Sequence, residues 1–153
     1  MTGPNPTDRS KPGSKHQVVS DAQGTPLVAL ITGANVPDVT QLETMVDAIP
    51  PVRGKRGAPR RRPDAIQADR GYRSHDNRIA MWIRNIEPII PEKDAPHGSG
   101  LGVTRWVIER TIAWLHQFRR LRIRYERLSD IHQAFLSLGC ILICFRKLKP
   151  LLC

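Results

Sequence analysis

Residues 105–127 read RWVIERTIAWLHQFRRLRIRYER, and the meaning of this stretch decides the fold. At about 100° per residue, Arg105, Glu109, His116 and Arg120 share one face, with Ile108, Ile112 and Leu115 on the adjoining apolar one. The pattern predicts a single amphipathic helix from Arg105 to Arg127. Glu109 is then a carboxylate set among cations beside a buried stripe. A metal-dependent site acting on nucleic acid needs such a group. An i,i+4 ion pair with Arg105 on a solvated face explains the helix alone more simply.

The rest of the chain adds weight to the first reading. Its 153 residues suit one domain, and 24 Lys and Arg against 14 Asp and Glu give a formal net charge of +10. Such an excess points to a polyanionic partner. Nucleic acid fits better than a membrane surface, because the longest apolar run, from Ala134 to Phe145, is short for a bilayer span and is interrupted by Ser137 and Gly139. That run is expected to be a buried helix. Residues 1–17 are polar and rich in Pro and Lys, unlike a secretory leader, so a cytoplasmic location is expected. Cys140, Cys144 and Cys153 make an odd count without a plausible partner set for a metal, and read as small hydrophobes.

Along the chain, residues 1–15 read as loop. HQVVSD and PLVALITG read as two strands joined by the turn AQGT, in which Gly24 supplies flexibility. A helix is predicted from Asp38 to Ile49, capped by Asp38 or Thr40. Residues 50–63, PPVRGKRGAPRRRP, hold four prolines and six basic groups with no acid, which fits a linker and a phosphate-contacting loop equally. DAIQAD is a short strand ending at Asp69. His75 to Asn85 is a helix with Trp82 in the core, and IEPIIP is another strand. A loop with His97 leads into the long helix. After a break near Leu128–Asp130, a last helix runs to about Lys147. Strands alternating with helices after a hairpin predict an α/β fold, a mixed sheet flanked by helices.

Asp69 closes a strand before a Gly-containing turn, at the sheet edge where ligands gather in open α/β folds. Asp69 and Glu109 come from separate elements. If folding brings them together, their charges require a cation between them. Hard oxygen donors suit Mg²⁺, which keeps several waters and takes one or two carboxylates plus phosphate oxygens. Two such ions clamp the attacking and leaving oxygens of a phosphoryl displacement. Nearby arginines would hold the flanking phosphates.

ADRGYRS, then HGSGLGVTRWVIERTIAWLHQFRRLRIRYER, then IHQAFLSLGCILICFRKL, together with the opening PNPTDRSKPGSKHQVVSDAQGTPL, resemble the C-terminal part of a bacterial insertion-sequence transposase of the insertion-sequence-five type, in the DDE superfamily. The resemblance covers nearly the whole chain. It implies a ribonuclease-H-like catalytic domain. In that domain two Asp and one Glu bind two Mg²⁺ (or Mn²⁺) ions and drive DNA strand cleavage and strand transfer at element ends. The family's second Asp matches Asp69, and its Glu matches Glu109, with Arg105 four residues before and His116 seven after. His116 stands where relatives often carry Lys, and Gly102 where a Tyr is common.

The family's first Asp lies on the first strand of that fold. Neither Asp8 nor Asp21 matches it, and the family's N-terminal DNA-binding region has no counterpart here. The expectation is therefore a fragment, truncated before the first strand. Residues 1–15 would be a loop remnant and 16–153 a partial catalytic domain with its basic loop at 50–63. Weak metal occupancy and no activity of the chain alone follow. Arg105, His116, Arg119, Arg120, Arg122 and Arg124 are the expected DNA contacts. The expected partners are DNA, further copies of the chain or an upstream-frame polypeptide, and no membrane. Trp106 and Trp114 read as packing residues. The competing reading is a non-catalytic basic DNA-binding protein, or a modulator of a longer transposase.

Overall fold

The computed structural model describes residues 2–7, 9–54, 56–92 and 102–152; His97, Asp8 and Cys153 lie outside them. In chain order the elements are β1 (Gly3–Pro4), β2 (Pro12–Ser20), β3 (Pro26–Gly33), a 3-10 turn at Asp38–Gln41, α1 (Leu42–Asp47), β4 (Ala65–Gln67), a 3-10 turn at Arg70–Tyr72, α2 (His75–Ile83), β5 (Glu87–Ile89), α3 (Gly102–His116), α4 (Arg119–Arg122) and α5 (Ser129–Leu152). They form two compact units, one of residues 1–36 and 102–153 and the other of residues 37–101. The α/β class expected from the sequence is present, with one small sheet in each unit among the described residues rather than one mixed sheet.

In the first unit β1, β2 and β3 form an antiparallel sheet in that order. Part of the opening segment read as loop is therefore strand: β2 starts at Pro12, and Gly3 and Pro4 pair with Gly13 and Pro12. The β2–β3 turn is held by Asp21, whose Oδ1 accepts from the amides of Gln23 (2.9 Å) and Thr25 (2.7 Å). Gly24 has φ +78°, and a Cβ there would sit 2.8 Å from Thr111 Oγ1 of α3, so both conformation and space require glycine. Helix α5 packs on β3. Its Gln133 copies a neighbouring strand, accepting from Ile31 N (3.0 Å) and donating to Ala29 O (2.8 Å), which satisfies β3 edge groups. The apolar core joins Ile31, Leu115, Leu121, Leu136 and Ile143.

The predicted helix over 105–127 is broken. α3 stops at His116, Phe118 adopts an extended conformation (ψ 115°), and α4 is a single turn of four residues. The cause is packing. At Gly139 of α5 an added Cβ would lie 2.9 Å from Leu121, 3.1 Å from Leu115 and 3.4 Å from Phe118. A continuous helix would place Leu115 and Leu121 about 600° apart, that is, on different faces. The break lets both residues reach the α5 glycine.

α5 also corrects the sequence reading of length. Its 24 residues include a stretch, Ser129–Lys149, long and apolar enough to cross a membrane by length and composition. One face of this helix, with His132, Leu136 and Ile143, is buried inside the unit. Cys140 packs against the same core, and Cys144 Sγ lies 3.8 Å from Pro26 O; both thiols are free, as expected of small hydrophobes.

The second unit pairs β4 and β5 in parallel, with α2 as the connection. Ser74 caps α2 by accepting from the amides of Asp76 and Asn77. The core is Leu42, Val46, Ile66, Ala80, Met81, Ile86 and Ile90. Trp82, expected in that core, is 57% exposed, and Met81 is fully buried instead. Five apolar residues in a row, 79–83, cannot all face inward from one helix, and Ala80 and Met81 take the inner face beside Asn77. The segment expected as one helix from Asp38 starts as a 3-10 turn. Neither Asp38 nor Thr40 caps it: Pro37 holds the cap position without a side-chain bond, and Thr40 Oγ1 donates back to Pro37 O. The basic loop closes on itself through mutual backbone bonds of 2.8 Å between Val52 and Arg60.

Candidate metal and nucleic-acid site

Asp69 lies just past β4, where its carboxylate is fixed by the backbone it precedes. Its Oδ1 accepts from Gly71 N at 2.8 Å and caps the 3-10 turn. The side chain is exposed. A second acid, Asp38, read from the sequence only as a helix cap, stands nearby. A Cβ built on Gly71 would lie 3.0 Å from Asp69 Oδ1 and 3.9 Å from Asp38 Oδ2. Burial, then the charges of Asp38 and Asp69, push the Tyr72 hydroxyl up to about 12. The second unit thus gathers negative charge at the end of β4. The clue in the sequence was Asp38 itself, an acid at the entry to a helix, which reads as a cap.

Glu109 lies midway along α3, with its side chain 60% exposed and Oε1 2.9 Å from Arg105 Nε. The i,i+4 ion pair weighed from the sequence is therefore present. Leu115 is buried and Ile108 and Ile112 are half-buried, so the apolar face falls where the helical period put it. His116 ends α3 exposed.

The arginines after His116 sort into two kinds. Arg120 is ion-paired with Glu126, whose side chain is only 5% exposed. Arg124 bonds Ser14 Oγ and donates to the carbonyls of Glu126 (2.8 Å) and Arg127 (3.2 Å). Arg119 lies over the Tyr125 ring at 5.6 Å and bonds its hydroxyl at 3.3 Å. Arg122 is exposed. Arg120 therefore does not share a helical face with Glu109. Glu126, the other acid of the run, escaped the sequence reading because basic neighbours made the segment look wholly solvent-facing.

Glu126 anchors a buried polar chain. Its Oε2 is 3.5 Å from His132 Nδ1, and His132 Nε2 is 3.1 Å from His16 Nε2. The His116 ring lies 6.0 Å from that of His16. Burial, then the neighbouring imidazoles of His132 and His116, drive His16 down to about 4. Burial, then the Arg124 charge, lowers His132, against the pull of Glu126. Burial raises the Glu126 carboxyl, but the Arg120 hydrogen bond and charge with the local backbone donors outweigh it and hold the group below its ordinary value. One imidazole nitrogen of the His16–His132 contact must donate and the other accept, so the contact requires that the two rings not both be charged.

Residues 2–145 match the transposase DDE domain family. The chain belongs to the DDE transposase family. It is 64% identical over 148 residues to a Burkholderia cepacia protein described as a candidate transposase for insertion sequence element IS402, covering 97% of this chain and 70% of that protein. No solved structure matches. The resemblance read from the sequence is thereby established at the level of the family. Membership implies DNA as the partner and a divalent metal as the cofactor. The donor set of this transposase domain fits such a metal in kind. Asp69 and Glu109 are exposed carboxylates; one oxygen of Asp69 accepts from Gly71 N and one oxygen of Glu109 pairs with Arg105 Nε. Among the described residues no three His, Cys, Asp or Glu side chains converge to hold an ion.

Proposed function

We propose that this chain is part of the ribonuclease-H-like catalytic domain of an insertion-sequence transposase, in which Asp69 and Glu109 are two of the three acids that bind Mg²⁺ or Mn²⁺ for DNA strand cleavage and strand transfer. The observation that supports this most is the pairing of motif with position. Asp69 sits at a strand end and Glu109 on an exposed helix face, in the order the family resemblance implies. The ions, when bound, would supply charge neutralisation at the attacking and leaving oxygens. The residues of the chain would hold and orient. Asp69, pinned by Gly71 N, and Glu109, steadied by Arg105, would offer carboxylate oxygens to the ions, and the Arg105 guanidinium would be available to a neighbouring phosphate. Asp38 adds negative charge beside Asp69. Arg105, His116, Arg119 and Arg122 form the DNA-facing set, whereas Arg120 and Arg124 serve mainly to hold Glu126 and Ser14.

By the family resemblance Asp69 and Glu109 are two of the three acids, and these 153 residues tested by themselves are expected to bind DNA without cutting it. The test is a nicking assay on supercoiled plasmid carrying insertion-sequence ends, with Mg²⁺ or Mn²⁺. The chain alone should bind in a salt-sensitive manner without cleavage. The same chain joined to the part of its B. cepacia relative that lies outside the match should cleave, and Asp69→Ala or Glu109→Ala should abolish that cleavage. Undiminished cleavage by either variant overturns the assignment. Metal-dependent cleavage by the unfused chain overturns the expectation of inactivity.

A further inference from the structure

The apolar run from Ala134 to Phe145, expected from the sequence as a buried helix, is buried along one side only. His132, Leu136, Gly139 and Ile143 make the buried side of α5. The other side carries Ile131, Ala134, Leu138, Ile141, Phe145 and Leu148, at alternating steps of three and four residues. All six are exposed, the five larger ones between 47% and 61%. At about 100° per residue they form one stripe along the helix, opposite the buried one. Leu142, also exposed, widens it. Five large side chains about half open leave on the order of 500 Å² of contiguous apolar surface, enough to mark a contact site rather than a scatter of surface residues. A helix that is apolar on both sides is suited to being enclosed.

The stripe also carries the marks of what encloses it. Steps of three and four residues are the spacing of a seam between two helices. Its charged residues stand at opposite ends with opposite signs, Asp130 in the first turn of α5 and Lys149 in the last. The neighbouring base, Lys147, is turned away, donating to Gln23 O at 2.6 Å and to Thr25 Oγ1 at 3.0 Å. Laid end over end on itself about an axis between Gly139 and Cys140, the stripe is self-complementary. Ile131 comes level with Leu148, Leu138 with Ile141, small Ala134 with large Phe145, and Asp130 with Lys149. Side by side in the same direction, Phe145 would meet Phe145, Ala134 would leave a gap at Ala134, and each charge would face its like. A lipid bilayer gives no reason for that symmetry, and the buried side of α5 is already packed in the unit's own core.

We propose that the outward face of α5, from Ile131 to Leu148, seats a second copy of the chain, helix against helix and antiparallel. Two copies would cover roughly 1,000 Å² in this stripe alone, at the small end of specific contacts, which suits a reversible dimer. Each copy carries a net charge of +10, so the apolar contact works against repulsion. Salt therefore tightens this dimer while it weakens DNA binding. The contact is independent of whether the chain acts on DNA.

The test is sedimentation velocity of the whole chain in reducing buffer, from about 1 to 100 µM, at about 0.1 and 0.5 M NaCl. Monomer and dimer in reversible exchange, with the dimer tighter at the higher salt, are expected. Leu138→Ser combined with Ile141→Ser should weaken the dimer by at least about tenfold and leave the melting temperature no lower. At the lower salt, Asp130→Lys or Lys149→Asp alone should weaken it severalfold, and the two together should restore it. A wild type that stays monomeric throughout overturns the proposal, and its settling on neutral phosphatidylcholine vesicles would show a lipid-seeking face instead. A dimer that the serine pair leaves unchanged lies elsewhere on the molecule and overturns it as well. Indifference to either single charge exchange, or no rescue in the double one, overturns the antiparallel arrangement. If the serine pair fails to fold, Ala134→Arg on the same stripe takes its place: an unchanged dimer overturns the proposal, and a weakened one supports it. Plasmid nicking is read separately, so failure here leaves the transposase reading standing.

Discussion

The unit that carries Asp69 and the unit that carries Glu109 are stabilised by different physics. The Asp69 unit has an apolar core, and its ion pairs sit at the surface, where Arg84 reaches both Glu43 (3.1 Å) and Asp47 (2.9 Å). The Glu109 unit runs a line of polar groups, Arg120–Glu126–His132–His16, between α4, α5 and β2: an ion pair at one end, a histidine–histidine contact at the other, and between them a 3.5 Å approach of Glu126 Oε2 to His132 Nδ1 that makes no hydrogen bond. A buried charge that loses its partner is expensive, whereas a surface pair is worth little. The comparison teaches that the basic character of residues 119–127 is partly structural. Two of the arginines that look like DNA contacts in the sequence are needed to keep a carboxylate and two histidines in place.

The largest expected effects come from the two cores, and they should be alike. Leu136→Ala in the Glu109 unit and Met81→Ala in the Asp69 unit each empty a site with no solvent exposure, and each should cost about 2–5 kcal/mol. Urea melts followed by hydrogen exchange would show whether each loss stays in its own unit. Equal loosening of both units by either variant would break the division.

A pH titration should separate the units. His16 is held at about 4 in the fold, below the ordinary value of about 6.5, so the unfolded chain takes up the proton more readily. Its contribution to stability is complete above about 6.5 and is lost progressively as pH falls toward 4. His132, His116, Glu126 and Arg124 all face this chain of groups, and protonation of either buried imidazole meets the Arg124 charge or the other ring. The Glu109 unit should therefore loosen across that window while the Asp69 unit holds, and His16→Gln should flatten the difference. Parallel loss in both units would show that the histidine chain is not the cause.

The smallest effect should be at Arg84. Its partners are 49% and 58% exposed, so Arg84→Ala should cost under about 1 kcal/mol and the cost should shrink in salt. A larger, salt-insensitive loss would mean that the Asp69 unit also depends on charge.

Much of the local structure was legible in the chain. The hairpin turn is written in Gly24, the start of α2 is legible at His75, and the apolar face of α3 is written in Ile108, Ile112 and Leu115. The break after His116 was not legible. Gln117 and Phe118 carry no breaker, and the helical period runs through them unbroken. What stops the helix is a distant glycine, Gly139, whose missing Cβ makes room for three side chains at once. The burial of Glu126 was hidden for a related reason. A carboxylate among arginines looks solvated until the fold supplies histidines from α5 and β2. For the site, Asp69 and Glu109 were legible by resemblance, and Asp38 was not, because a helix entry is an ordinary place for an acid.

Iron(II) in place of Mg²⁺ offers the most direct measurement of whether Asp69 and Glu109 share an ion. With ascorbate and peroxide, a bound iron cuts the backbone beside its own ligands. Cuts next to both Asp69 and Glu109, lost together in Glu109→Ala, are the expected result. Cuts beside one of them only, or a pattern that Glu109→Ala leaves unchanged, would separate the two acids and end the case for a common metal site.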